Sequence, residues 1–411
     1  MNKERPRHAP MNQFKTGDNC LVIGGIPVTR LAARVGQTPL YAYDRGVMNN
    51  CVAQLREILP QEISLHYAMK ANPMPAVVNH MTGLVDGLDV ASLGEMRTAL
   101  DTGIEAHKIS FAGPGKSETE LKAAIAAGII INIESSKEAE RIADISTKLS
   151  IRPNVSVRVN PDFELKTSGM KMGGGAKPFG IDAEKIPEVL NQIGSLDFDF
   201  KGFHIFSGSQ NLRPEAIIEA QTNTFELAAR LGEHAPSPIT WLNIGGGFGI
   251  PYFPGERHLE LQPVADNLAS LLDKYKPIFP KAEVVIELGR YLVGEAGVYI
   301  CEVIDKKISR DETFLITNGG LHHHLSASGN FGQIIRKNYP VSVANRVSAE
   351  KTEIVDIVGP LCTPLDILAS KVELPKADIG DLICVFQSGA YGLSASPTAF
   401  LGHPQPIEVL V

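Results

Sequence analysis

Between residues 64 and 290 the chain repeats one pattern, a short apolar run rich in β-branched residues followed by a longer stretch with apolar positions at helical spacing. The runs are Ser64–Met69, Gly87–Ala91, Lys108–Ala112, Ile129–Glu134, Asn154–Val159, Phe200–Phe206, Thr240–Ile244 and Val284–Leu288. Glu118–Ala127 and Glu215–Leu231 are two of the amphipathic stretches between them. Strands that are apolar throughout and alternate with helices form parallel sheets. Eight of them favour a closed (β/α)8 barrel over an open doubly wound sheet.

After Gly297 the pattern changes. Val298–Ile308, Thr313–Thr317, Glu353–Val358 and Asp381–Phe386 read as strands joined by turns, with little helix, and predict a mostly antiparallel β domain. Cys20–Tyr43 is also strand-like and is expected to join it. The chain is therefore read as α/β, with a (β/α)8 barrel over 44–296, a β domain from 11–43 and 297–411, and a flexible tail over 1–10. The glycine-rich piece Gly169–Gly175 is expected to be a mobile loop near the barrel mouth.

A length of 411 residues exceeds one typical core and agrees with two domains. With 44% hydrophobic and 21% charged residues the composition is that of an ordered globular protein, and a net charge of -7 argues against a nucleic-acid partner. The five cysteines are far apart without CxxC spacing, which suits a reducing compartment. The polar N-terminus does not resemble a signal peptide and no apolar run is long enough to cross a bilayer, so a cytoplasmic protein without a membrane partner is expected.

Barrel enzymes place their chemistry at the C-terminal strand ends. Here those ends carry Lys70, Asp89 with Glu95, Arg158 with Asn160, His204 with Phe206, Ser207 and Ser209, Gly245–Gly249, and Glu287 with Gly289 and Arg290. A lysine at an apolar strand end can form an imine with an aldehyde, although a lone lysine is more often a snorkelling surface residue. Successive glycines let backbone N–H groups approach a phosphate, and Gly246 and Gly247 lie after the seventh strand, where barrel phosphate sites cluster. The blander reading is a tight strand-to-helix turn. Glu287 could hold a pyridine nitrogen protonated, or be a buried carboxylate paired with Arg158, or both. Cys362 and Tyr391 sit in Gly/Pro-bounded loops of the β domain. A metal role for His322-His323-His324 is rejected because neighbouring strand residues point to opposite faces.

Eight ordered motifs then resemble one family, the pyridoxal-5′-phosphate (PLP)-dependent group IV decarboxylases of alanine racemase-like fold, which include the diaminopimelate, ornithine and arginine decarboxylases. They are Tyr67-Ala68-Met69-Lys70-Ala71-Asn72, Asp89-Val90-Ala91-Ser92-Leu93-Gly94-Glu95, Arg158-Val159-Asn160-Pro161, Gly208-Ser209-Gln210, Gly245-Gly246-Gly247, Glu287-Leu288-Gly289-Arg290, Gly359-Pro360-Leu361-Cys362 and Gly389-Ala390-Tyr391. The resemblance implies PLP on Lys70, Glu287 at the pyridine nitrogen, and Asp89 and Arg158 supporting the ring. It implies Ser209, Gly246, Gly247, Gly289, Arg290 and Tyr391 at the phosphate. Cys362, from a partner subunit, would return the proton, which implies a homodimer with a shared active site.

The departures narrow the substrate. Phe206 stands where the family has a ring-stacking histidine, with His204 one strand repeat earlier. Thr363 follows Cys362 where an acid reads a distal amine, and the Arg-x-x-x-Tyr pair expected after Asn318-Gly319-Gly320 is replaced by Leu321–Gly332. Arg290, Thr363 and Tyr391 are the expected substrate contacts. The His204-Ile205-Phe206 and His322–Gly332 signatures are similar to an exosortase-associated subgroup and to decarboxylases of siderophore and antibiotic pathways. The expected activity is decarboxylation of an L-amino acid or a conjugate tethered to a carrier. The alternatives are diaminopimelate decarboxylase proper, a racemase or epimerase, a non-catalytic PLP-binding protein, and a PLP-free barrel that binds a sugar phosphate.

Overall fold

The structure is a computed structural model that describes residues 6–164, 170–171 and 173–411. It divides into two compact units, one of Cys51–Ile250 and Leu259–Gly289, the other of Met1–Asn50, Pro251–His258 and Arg290–Val411.

The first unit is a closed parallel barrel of β1 (Ile63–Ala68), β2 (Gly87–Val90), β3 (Ile109–Phe111), β4 (Ile130–Ile133), β5 (Asn154–Asn160), β6 (Asp199–Ile205), β7 (Trp241–Gly246) and β8 (Glu283–Leu288). Each strand pairs in parallel with the next, and β8 pairs with β1 to close the ring. The helices after β2, β3 and β4 begin at Ser92, Ser117 and Ser135, whose hydroxyls each accept an N–H of the first turn. Ser117 and Glu120 complete a reciprocal capping box. These caps fix where each strand ends and its rim begins.

In the second unit the long strand Gly297–Ser309 pairs antiparallel with Leu40–Tyr43, Leu382–Val385 and Glu312–Thr317. Lys351–Val358 runs parallel to Glu312–Thr317 and antiparallel to Ile367–Pro375, and Ile407–Leu410 runs parallel to Leu40–Tyr43. Phe14, Ile23, Val28, Leu31, Leu40, Val298, Ile300 and Phe386 share its core.

Two expectations need correction. The Cys20–Tyr43 segment is not strand throughout: Val28–Val35 is a helix that buries Val28 and Leu31 one turn apart and ends at left-handed Gly36. Within the expected flexible tail over 1–10, residues 7 and 8 are also hydrogen-bonded. The Arg7 carbonyl accepts the Gly255 N–H, and His8 Nε2 lies 2.9 Å from the Asn338 carbonyl. The glycine-rich piece lies partly outside the described residues, and within it Gly174 and Gly175 are hydrogen-bonded to Asn160.

Candidate active site

Lys70 lies in a single 3-10 turn, Met69–Ala71, immediately after β1. Its Nζ sits 5.9 Å from the centre of the Phe206 ring, just past the end of β6. Burial pushes the Glu95 carboxyl upward, opposed by the Ala91 N–H and by the Lys70 charge. The rim thus offers an exposed amine beside one aromatic face and one partly desolvated carboxyl.

Glu287, near the end of β8, is 7% exposed. Its Oε2 accepts from Asn243 Nδ2 at 3.0 Å and lies 3.1 Å from His204 Nε2. Burial works to raise its pKa, but His204, Lys70 and Arg158 outweigh burial and hold the carboxyl well below the usual range. Oε1 takes no hydrogen bond among the described residues.

The Arg158–Glu287 pair, the blander alternative for Glu287, is not made among the described residues. Arg158 instead donates to Glu134 Oε1 at 3.0 Å and lies over Phe179, 5.2 Å from the ring centre. Glu134 follows β4, the direct neighbour of β5, and is fixed by the N–H groups of Gly113 and Gly180. A carboxylate on the adjacent strand, already oriented by two backbone donors, wins the arginine. Behind it lies a fully buried ion pair, Lys116 with Glu138, at 3.0 Å.

A layer of buried polar side chains crosses the barrel, one from each strand: His66, Asp89, Ser110, Asn132, Ser156, His204, Asn243 and Glu287. Asp89 Oδ1 accepts from Ser110 and lies 3.3 Å from His66 Nδ1, while its Oδ2 is buried without a partner among the described residues. Asn132 donates to Ser110 and accepts from Ser156. Sequence reasoning missed His66, Ser110, Asn132, Ser156, Asn243 and Glu134. The available signal was a single polar residue between two apolar neighbours on a strand, as in Ile109-Ser110-Phe111 and Leu242-Asn243-Ile244.

The glycines are required by close approach. A Cβ at Gly246 would lie 2.1 Å from the Glu287 carbonyl, one at Gly247 2.2 Å from the Gly208 carbonyl, and one at Gly289 2.9 Å from the Ala68 carbonyl. The Gly247 carbonyl accepts from the Asn211 N–H, which joins this turn to the 207–211 turn that carries Ser209. Lys70, Asp89, Arg158, His204, Phe206, Ser209, Gly246, Gly247, Glu287 and Gly289 all belong to the barrel unit.

The remaining candidates belong to the other unit. Arg290 donates to the Tyr252 hydroxyl at 3.0 Å, and its guanidinium lies 4.7 Å from the Tyr391 ring centre. Burial opposes its charge, and Tyr252, Tyr391 and Tyr339 more than restore it. Tyr391 has φ 52°, a left-handed conformation unusual for an aromatic residue. Cys362 is exposed, and Thr363 follows it on a turn closed by Asp366. Asp366 Oδ1 accepts the Leu321 N–H and Oδ2 the Leu361 N–H.

The histidine run lies in turns rather than a strand, so alternation of faces does not describe it. His323 bonds to the Tyr299 hydroxyl and the Pro404 carbonyl. His324 bonds to Ser388 Oγ and accepts the Ala327 N–H at Nδ1. Among the described residues no group of three or more His, Cys, Asp or Glu has metal-binding geometry.

A phosphorylated pyridine aldehyde needs an amine to condense with, an anionic acceptor for its ring nitrogen and a backbone free of side chains near its phosphate. The barrel rim supplies all three in Lys70, the ionised Glu287 with one unengaged oxygen, and Gly246, Gly247 and Gly289, so the residues fit PLP.

Comparison with known proteins agrees. The profile described as "Pyridoxal-dependent decarboxylase, pyridoxal binding domain" matches residues 45–294. The L-glutamyl-[BtrI acyl-carrier protein] decarboxylase of Niallia circulans is 38% identical over 93% of this chain and 90% of its own length. The 2-[(L-alanin-3-ylcarbamoyl)methyl]-2-hydroxybutanedioate decarboxylase of Staphylococcus aureus is 29% identical over 89% and 92%. The diaminopimelate decarboxylase of M. jannaschii, solved with L-lysine, superposes with TM-score 0.86 at 26% identity, covering 97% of this chain and 92% of that one. The chain belongs to the pyridoxal-dependent decarboxylases and is a PLP-dependent amino-acid carboxy-lyase.

Proposed function

We propose that the substrate is an L-amino acid whose distal end is joined through an uncharged acyl linkage, either to a carrier protein or to a small acid. The observation that carries this is the environment after Asn318-Gly319-Gly320. Burial pushes His322 and His323 down to about 3 and 4, so the segment holds neutral imidazoles where a charge-reading site would need an ion. Thr363 adds a hydroxyl but no charge. A free distal ammonium would lose its water there without an acidic partner, whereas an acylated end avoids that cost. The two relatives named above for carrier-bound and carbamoyl-linked substrates support the same reading.

PLP, when bound, supplies the electron sink for loss of carbon dioxide. In this reading Lys70 holds it covalently, and Glu287 keeps the ring nitrogen protonated, itself aimed by Asn243 and His204. Phe206 covers one ring face. Asp89, with Arg158 fixed by Glu134, supports the ring. Ser209, Gly246, Gly247, Gly289, Arg290 and Tyr391 bind the phosphate, with Arg290, Tyr391 and, beside Cys362, Thr363 of the partner subunit also facing substrate. Cys362 of the partner subunit returns a proton to Cα, which makes the working form a homodimer. The absence of a disulfide among the described cysteines supports a cytoplasmic setting. The His204-Ile205-Phe206 and His322–Gly332 signatures support an exosortase-associated pathway. Carbon dioxide release measured across free L-glutamate, ornithine and meso-diaminopimelate, the distal amide or thioester of the first and the distally N-acylated forms of the other two, tests the reading. Equal or faster turnover of the free diamino acids refutes it.

A further inference from the structure

One buried side chain in the segment after Gly320 has polar atoms that nothing in the scheme above satisfies. His322 is fully buried, and neither ring nitrogen has a hydrogen-bond partner among the described residues. A neutral imidazole carries one N–H donor and one lone-pair acceptor, and leaving both unmet inside a protein is costly. Its neighbours are rings: His323 at 3.7 Å between centres and His403 at 5.2 Å.

The position is not isolated. Asp366 binds the N–H of Leu321 with one oxygen and that of Leu361 with the other, so His322 and Cys362 each follow a residue held by the same carboxylate. In the other direction a run of rings continues from His323 to Tyr299, His324, Tyr339, Tyr252 and Arg290. His322 therefore lies on a continuous polar-aromatic strip between the Arg290–Tyr391 pair and the Cys362–Thr363 turn.

The chemistry of the strip's end selects its ligand. His323 is engaged at both nitrogens, and the Asp366 carboxylate is engaged at both oxygens. The charged group of this turn is the Asp366 carboxylate, whose two oxygens are already taken by backbone N–H groups, and burial beside His323 and His403 keeps the His322 ring neutral. A carboxylate would find no cation there and would face the Asp366 charge, and an ammonium would find both Asp366 oxygens already engaged. An uncharged group with a carbonyl acceptor, and best with an N–H donor as well, would satisfy the ring. His403 is only half-buried, next to the exposed Phe400 and Leu401, so the neighbour of His322 on this side reaches the surface.

We propose that His322, flanked by His403, is a specificity subsite that hydrogen-bonds the uncharged amide, ester or thioester linkage of the substrate's acylated end. The proposal deepens the conjugate reading above and rests on it.

Product analogues test it without turnover. Calorimetry on the PLP-loaded enzyme compares 4-amino-N-methylbutanamide, with a distal amide, against 4-aminobutanoate, with a distal carboxylate. The wild-type protein should bind the amide at least tenfold more tightly, the scale of one hydrogen bond made or lost. His322→Leu should abolish the preference while keeping the visible band of lysine-bound PLP, and His322→Gln, which restores a donor and an acceptor, should recover part of it. His403→Ala, at a half-exposed position that tolerates truncation, should weaken the preference even if His322→Leu misfolds. A preference that survives both His322→Leu and His403→Ala, or a wild-type protein that favours the carboxylate, overturns the subsite. If the amide preference holds but the wild type releases no carbon dioxide from N5-methyl-L-glutamine, the subsite stands and conjugate decarboxylation fails instead.

Discussion

Glu287→Gln isolates the charge of the residue proposed to face the cofactor ring, because the amide keeps the volume of the carboxylate. In the wild type one oxygen accepts from Asn243 and lies 3.1 Å from His204 Nε2, and the other is free of hydrogen-bond partners among the described residues. The glutamine can keep the Asn243 bond only by turning its carbonyl oxygen toward Asn243. Its NH2 then occupies the position of Oε1 and offers a donor to the ring nitrogen. The bond lost is a charge-assisted one, about 1.5–3 kcal/mol, which corresponds to a roughly 10- to 150-fold weaker Kd for PLP. Turnover should fall further, by on the order of 10²–10³, because an unprotonated ring is a poor electron sink. Titration of the PLP-free protein by absorbance gives the first number, and carbon dioxide release at saturating PLP gives the second. Wild-type values for both would mean that Glu287 serves only the barrel interior, and the assignment would be wrong.

Lys70→Ala should remove both the visible band and turnover, and borohydride trapping of PLP on a different lysine would refute the assignment. Arg290→Ala should weaken PLP binding by about 1.5–3 kcal/mol if the guanidinium meets the phosphate. Unchanged cofactor affinity with a raised KM would move Arg290 to the substrate instead. His322, His323 and His324 are pushed down to about 3, 4 and 3, chiefly by burial. Below the unfolded value near 6.5 the unfolded chain binds protons that the folded chain excludes, so stability falls as pH drops. Each such histidine costs about 1.4 kcal/mol by pH 5.5. His66 works the other way: burial would lower it, but Asp89 draws it upward. Urea midpoints at pH 7 and 5.5 should therefore differ, and equal midpoints would refute the argument.

The barrel was legible because each of its strands is a short apolar run bounded by a helical pattern, and Glu118–Ala127 matches the observed helix end to end. The helix Val28–Val35 was not, because it has only two turns and β-branched residues at both ends, which favour strand. The candidate rim residues were legible as chemistry misplaced at apolar strand ends. Their partners were not. The choice of Glu134 over Glu287 by Arg158 depends on strand adjacency and two backbone N–H groups, which only the closed ring establishes. The histidine run looked like strand by position. The tight packing around Gly319, where a Cβ would sit 2.0 Å from the Tyr299 hydroxyl, accompanies a turn that composition does not reveal.

The Asp366 clamp has a consequence for how specificity can change in this lineage. The same carboxylate leaves no room for a side chain at Gly320 or Gly359, where a Cβ would come within 2.1 and 2.3 Å of its oxygens. The segment that starts at Gly319 and the one that ends at Asp366 are therefore keyed to each other like two halves of a mould. A chimaera that imports 319–332 from a diamine-reading relative while keeping the native 359–366 would set a foreign loop against a carboxylate packed for Gly320 and Gly359. Both segments must be exchanged together, so a new substrate range is more readily reached by recombination of this pair than by stepwise substitution within either one.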